Sequence, residues 1–121
     1  MELNLNSKEP IYLQIKKYME LEIISGKLKE GARLLSVRDY AQELKVNPNT
    51  ILRVYSELEN EGLIITQRGI GKFVTCDKDQ ILNLRKNLSM ELIKDFLDKS
   101  RSLGFSKNEL IQLITDMYEE E

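Results

Sequence analysis

Two short apolar stripes at helical spacing constrain this chain most: Val37, Tyr40, Ala41 and Leu44, then Ile51, Val54, Tyr55 and Leu58. Each set recurs at i, i+3, i+4 and i+7, which places its side chains on one face of an α-helix. Both helix starts are marked. Ser36 with Asp39 three residues on reads as a capping box, and Asn47 before Pro48 offers an N-cap followed by proline at the first helical position. A turn at Lys45-Val46 joins the two helices, and Gly62 ends the second. Both stripes must face one core. The other side of the second helix, bearing Asn49, Thr50, Arg53, Ser56, Glu57 and Asn60, is therefore left in water.

Upstream, Pro10 opens a helix through Ile11, Ile15, Tyr18, Met19 and Ile23 that stops at Gly26. Leu13, Leu21 and Ile24 lie off its main stripe and predict cover on more than one side. Lys27 to Leu35 reads as a loop with a short strand at Arg33-Leu34. Downstream, Leu63 to Thr66 and Lys72 to Thr75 are β-branched and aromatic runs around a glycine-rich tip, Gln67 to Gly71, and predict a hairpin. A lone hairpin is marginal, so it must lean on the helices. From Asp79 a long helix carries Ile81, Leu84, Leu88, Leu92 and Phe96 towards Gly104, and Ser106 with Glu109 caps a last helix bearing Leu110, Leu113, Ile114 and Met117. The expected fold is mainly α with a small β-hairpin (α+β): a winged helix-turn-helix over residues 1–76 and a two-helix dimerisation tail over 77–121.

Composition narrows the chemistry. With no histidine and a single cysteine, Cys76, the chain lacks the commonest general base and zinc ligand, and neither a disulfide nor a Cys-rich metal site is expected. No nucleophile–base pair is evident, so no enzyme and no cofactor are expected. No apolar run reaches the roughly 18 residues that a membrane span requires. The start Met1-Glu2-Leu3-Asn4 lacks the features of a signal peptide, so a cytoplasmic location is expected. Net charge is −2, with +1 on residues 1–76 and −3 on 77–121. Its distribution matters more than its total for a DNA-binding face.

The first turn of the second stripe's helix suits base edges. Arginine can pair with guanine, asparagine with adenine, and a methyl group with thymine, which makes Asn49, Thr50, Leu52 and Arg53 candidates. The helix starts at Ser36 and Asn47 present unpaired N–H groups suited to phosphate. Arg38, Arg68 and Lys72 would add phosphate or minor-groove contacts.

Leu34 to Val74 resembles the N-terminal domain of the GntR family of bacterial transcription regulators. The marks are Ser36-x-Arg38-x-x-Ala41, Val46-Asn-Pro-Asn-Thr50, Glu59-x-Glu-Gly-Leu-Ile64 and Gly69-x-Gly-Lys-Phe-Val74. The Asn-Pro-Asn-Thr variant with a tail of only about 45 residues is similar to the YtrA-type subfamily, whose members are dimeric and often sit beside transporter genes. The resemblance implies Arg38 on phosphate or base, Asn49, Thr50 and Arg53 in the major groove, and Gly71 with Lys72 at the wing tip. Three departures follow: Leu35 replaces a usual proline, Lys45 a common glycine, and Pro48 and Leu52 the arginines of many relatives.

The tail stripes are too broad for one helical hairpin to bury, so a second copy is expected to cover Leu84, Leu88, Leu92, Phe96, Leu110, Ile114 and Met117. Twofold symmetry then predicts a pseudo-palindromic operator with half-sites about 10 bp apart or a multiple. Fold-level analogy adds a small-molecule effector acting through the tail. Blander readings hold elsewhere. Taken singly, Arg38 and Arg53 are solvated charges; Tyr40 and Tyr55 are core aromatics; Gly69 serves a turn; Cys76 is an ordinary small residue; Met90 and Met117 pack; Asp77, Asp79 and Glu119 to Glu121 are solvated rather than metal-binding. The alternative function is a winged helix that binds protein and not DNA.

Overall fold

The helix starts carry the caps that the sequence implies. In the computed structural model, which describes residues 3–119, Ser36 Oγ accepts from the Asp39 N–H at 3.1 Å and Asn47 Oδ1 from the Asn49 N–H at 2.8 Å. They open α2 (Val37–Leu44) and α3 (Pro48–Asn60), which follow α1 (Ile11–Ser25). Lys45 ends α2 in the left-handed conformation at φ 59, at the position where glycine is common. Then come β1 (Ile64–Gln67), β2 (Gly71–Val74), α4 (Lys78–Ser102) and α5 (Lys107–Glu119). Met1 and Glu2, at the start read as lacking a signal peptide, and Glu120-Glu121 of the acidic end lie outside the described residues.

The strands pair antiparallel with Ile64 opposite Val74 and Gln67 opposite Gly71, leaving Arg68-Gly69-Ile70 as the tip. Gly69, at φ 79, makes the turn. The expected short strand before α2 is an isolated bridge between Arg33 and Phe73, reinforced by Leu34 N–H to Lys72 O at 2.8 Å and Val74 N–H to Ala32 O at 2.9 Å. The hairpin therefore leans on the segment before α2 as well as on α3.

The chain divides into two compact units, Met1–Arg85 and Lys86–Glu121. In the first, both predicted stripes meet α1 and the hairpin in one core of Ile15, Met19, Ile23, Leu34, Ala41, Ile51, Val54, Tyr55, Leu58, Leu63, Ile64 and Val74. Tyr55 is buried and its hydroxyl donates to the Leu35 carbonyl at 2.9 Å. Tyr40 stacks on it with ring centroids 6.2 Å apart, and burial pushes the Tyr40 phenol up to about 12. Both are core aromatics. Among the described residues α1 buries Ile15, Met19, Glu20 and Ile23, while Ile24 is half-buried and Leu13 and Leu21 are exposed, so the second cover expected for α1 does not extend to Leu13 and Leu21.

The first unit reaches past Cys76. Ile81 and Leu84, on the first turns of α4, are half-buried and pack against the head core. In the second unit, Ser106 and Glu109 complete a reciprocal capping box, the Glu109 N–H donating to Oγ at 3.2 Å and Oε1 accepting from the Ser106 N–H at 2.9 Å. Leu110 is buried there at 8% exposure, whereas Leu92 at 73% and Met117 at 67% face water, as do Ile93, Phe96, Ile114 and Met90.

Candidate nucleic-acid interface

Helix α3 turns Ile51, Val54, Tyr55 and Leu58 inward, and its 3.6-residue period therefore puts Asn49, Leu52, Arg53, Ser56 and Asn60 outward. Asn49 is exposed and Thr50 half-buried. Asn47 is occupied as the cap of α3. At the start of α2, Ser36 Oγ is likewise occupied as a cap, while Arg38 is exposed and makes no hydrogen bond or ion pair among the described residues. The amides of Val37 and Arg38 precede the first intrahelical hydrogen bond, from Tyr40 N–H to Ser36 O, and such unpaired amides are suited to a phosphate oxygen.

The other cations are less free than their sequence positions implied. Arg53 Nε donates to Glu57 Oε2 at 3.1 Å, and its guanidinium lies 3.5 Å from the centroid of the Tyr12 ring. Lys16 Nζ holds the other oxygen of Glu57 at 3.2 Å and reaches Glu61 Oε1 at 2.6 Å. Hydrogen bonds from Lys16 and then Arg53 hold the Glu57 carboxyl below the usual carboxylate range. On the wing, Lys72 Nζ bonds Thr66 Oγ1 at 2.8 Å and Glu59 Oε2 at 3.2 Å, and Thr66 donates to the same carboxylate. Glu59 is held low by Thr66 and then by Lys72. Lys72 therefore braces the wing on α3. Arg68 is exposed at the tip.

Sequence reasoning missed Arg33, Tyr12 and Lys16. Arg33 Nη2 donates to the Ile70 carbonyl at 2.6 Å, and its guanidinium lies where a side chain on Gly71 would project. Only the Arg53–Glu57 pair carried a local signal, its i,i+4 spacing.

A three-helix head whose third helix shows a polar face between a bare helix start and a braced wing has the geometry of a groove reader. The family model for bacterial regulatory proteins, gntR family, matches residues 11–74. The chain belongs to the GntR family. It is 37% identical over 112 residues to the HTH-type transcriptional regulator YhcF of Bacillus subtilis, covering 93% of each chain. It is 30% identical over 118 residues to the HTH-type transcriptional repressor YtrA of the same organism, covering 97% of this chain and 91% of that one. A GntR family transcriptional regulator from Listeria monocytogenes superposes with a TM-score of 0.87 at 39% identity, over 93% of this chain and 98% of the other. These matches run past Val74, so the likeness to the YtrA type includes the short tail. As a member of the GntR family the chain is a DNA-binding transcription regulator. Among its described residues no helix is long and apolar enough to cross a membrane.

Proposed function

We propose that this chain is a homodimeric, cytoplasmic repressor that reads a pseudo-palindromic operator. Asn49, Thr50 and Arg53 of α3 meet base edges; Ser36, Arg38 and Asn47 at the helix starts meet phosphate; and Arg68, Gly71 and Lys72 carry the wing to the neighbouring groove. The observation that carries this reading is the outward polar face of α3 beside the exposed, unpaired Arg38. A second copy covers the half-buried Leu88 and the apolar side chains that the tail leaves exposed, Leu92, Phe96, Ile114 and Met117, with Leu110 at the edge of that contact. Repression is supported by the repressor YtrA of Bacillus subtilis. A small molecule acting on the tail releases it from an operon, one that encodes a transporter by the subfamily resemblance.

Selection of fragments bound by the full-length protein from its own genomic DNA tests the reading. The expected result is one motif with two inverted half-sites about 10 bp apart or a multiple, bound with an affinity that falls steeply as salt rises. No enrichment, or salt-independent binding, would overturn it in favour of a protein-binding winged helix.

A further inference from the structure

Arg53 is held on two sides. One flat face of its guanidinium lies over the Tyr12 ring at 3.5 Å, and Nε donates to Glu57 at 3.1 Å. Tyr12 is partly buried against the head core, and Glu57 is itself tied to α1 through Lys16 at 3.2 Å. The platform under Arg53 thus belongs to α1, some forty residues away in the chain. What this arrangement leaves unused is specific. The two terminal nitrogens, Nη1 and Nη2, make no hydrogen bond among the described residues, and they form the edge that pairs bidentately with O6 and N7 of guanine.

We propose that Tyr12 is a positioning residue for base discrimination: its ring and the Glu57 carboxylate hold the Arg53 guanidinium in place with its terminal edge presented for one base pair. A long, flexible side chain ordered beforehand loses less freedom on binding. Stacking fixes the plane of the fork, and the Nε hydrogen bond fixes its rotation in that plane. Discrimination at one base pair then depends on α1, which would not itself touch that base. The inference rests on the proposed reading of DNA by α3.

The test uses the full-length protein on its selected operator and on the duplex changed at the base pair whose identity Arg53→Ala relaxes. Tyr12→Phe, which keeps the ring, retains the wild-type ratio of affinities for the two duplexes within about twofold. Tyr12→Leu, similar in bulk but without a π-face, lowers that ratio about three- to tenfold while binding random duplex as before. In the Arg53→Ala background Tyr12→Leu changes nothing further. If Tyr12→Leu does not fold, Glu57→Gln on the exposed face of α3 is measured the same way and lowers the ratio in the same direction. Unchanged discrimination in a folded Tyr12→Leu or Glu57→Gln, with Arg53→Ala still relaxing the site, overturns the positioning role and leaves the DNA reading intact. Discrimination untouched by Arg53→Ala at every base pair overturns instead the assignment of Arg53 as a reader.

Discussion

Nη2 of Arg33 donates to the carbonyl oxygen of Ile70 at 2.6 Å, tying the segment before α2 to the tip of the wing. Gly71 makes room for this tie. Its φ is +152, and a Cβ built there would lie 3.1 Å from Arg33 Nε. The glycine is thus required by the molecule's own wing, whatever backbone approach to DNA it also permits. Gly71→Ala is expected to cost about 1 kcal/mol or more, through backbone strain and displacement of the guanidinium. Arg33→Ala should leave the melting temperature nearly unchanged and weaken operator binding by loosening the wing. Thermal melts and binding isotherms on the two variants check this. A Gly71→Ala protein as stable as wild type would remove the clearance role.

Lys45 holds φ 59 with a side chain present and is exposed. A left-handed L-residue costs roughly 1 kcal/mol, and glycine relieves that strain at some loss of unfolded-state restriction. Lys45→Gly should therefore raise stability by about 0.5 to 1 kcal/mol, or roughly 2 to 6 °C in Tm. Differential scanning calorimetry is the measurement, and a lowered Tm contradicts the strain.

The carboxyls of Glu57 and Glu59 are both held below their ordinary value of 4.5, by Lys16 and Arg53 in one case and by Thr66 and Lys72 in the other. A depressed carboxylate contributes stability that is fully present above its unfolded value and is lost as pH falls through the folded one. The advantage of wild type over Glu57→Gln in urea unfolding should accordingly be present at pH 7 and be lost as pH falls below 4.5 through the lower folded value. An advantage that grows on acidification would have the wrong sign.

Leu92 is 73% exposed on α4. If a second copy covers the tail as proposed, Leu92→Glu places a charge in an apolar contact, which costs several kcal/mol unless the copies separate. Sedimentation should show the dimer shifting to monomer, with weakened operator binding and unchanged far-ultraviolet dichroism. An undisturbed dimer locates the contact elsewhere.

Much of the head was legible along the chain because its signals act within a turn or two. Ser36 reaches only as far as Asp39, Asn47 only to Asn49, and the stripe Ile51, Val54, Tyr55 and Leu58 follows from the helical period alone. The same logic extended α4 as one helix but could not say where the head ends. That Ile81 and Leu84 belong to the head core is a matter of which surfaces lie beside the first turns of α4. The apolar residues Leu13 and Leu21 misled in the same way, since hydrophobicity marks a wish for cover and not its presence.

By itself the order of residues determined the caps, the stripes, the hairpin and hence a winged helix-turn-helix with an outward polar face on α3. Only the tertiary structure decided which cations on that surface are spoken for: Arg53 by Tyr12 and Glu57, Lys72 by Glu59 and Thr66, and Arg33 by Ile70, while Arg38 is left unpaired among the described residues. The reason is physical. Helix periodicity and capping are short-range properties of the backbone, whereas the partner of a long charged side chain is set by distance in space, which the fold brings about between residues as far apart as Tyr12 and Arg53.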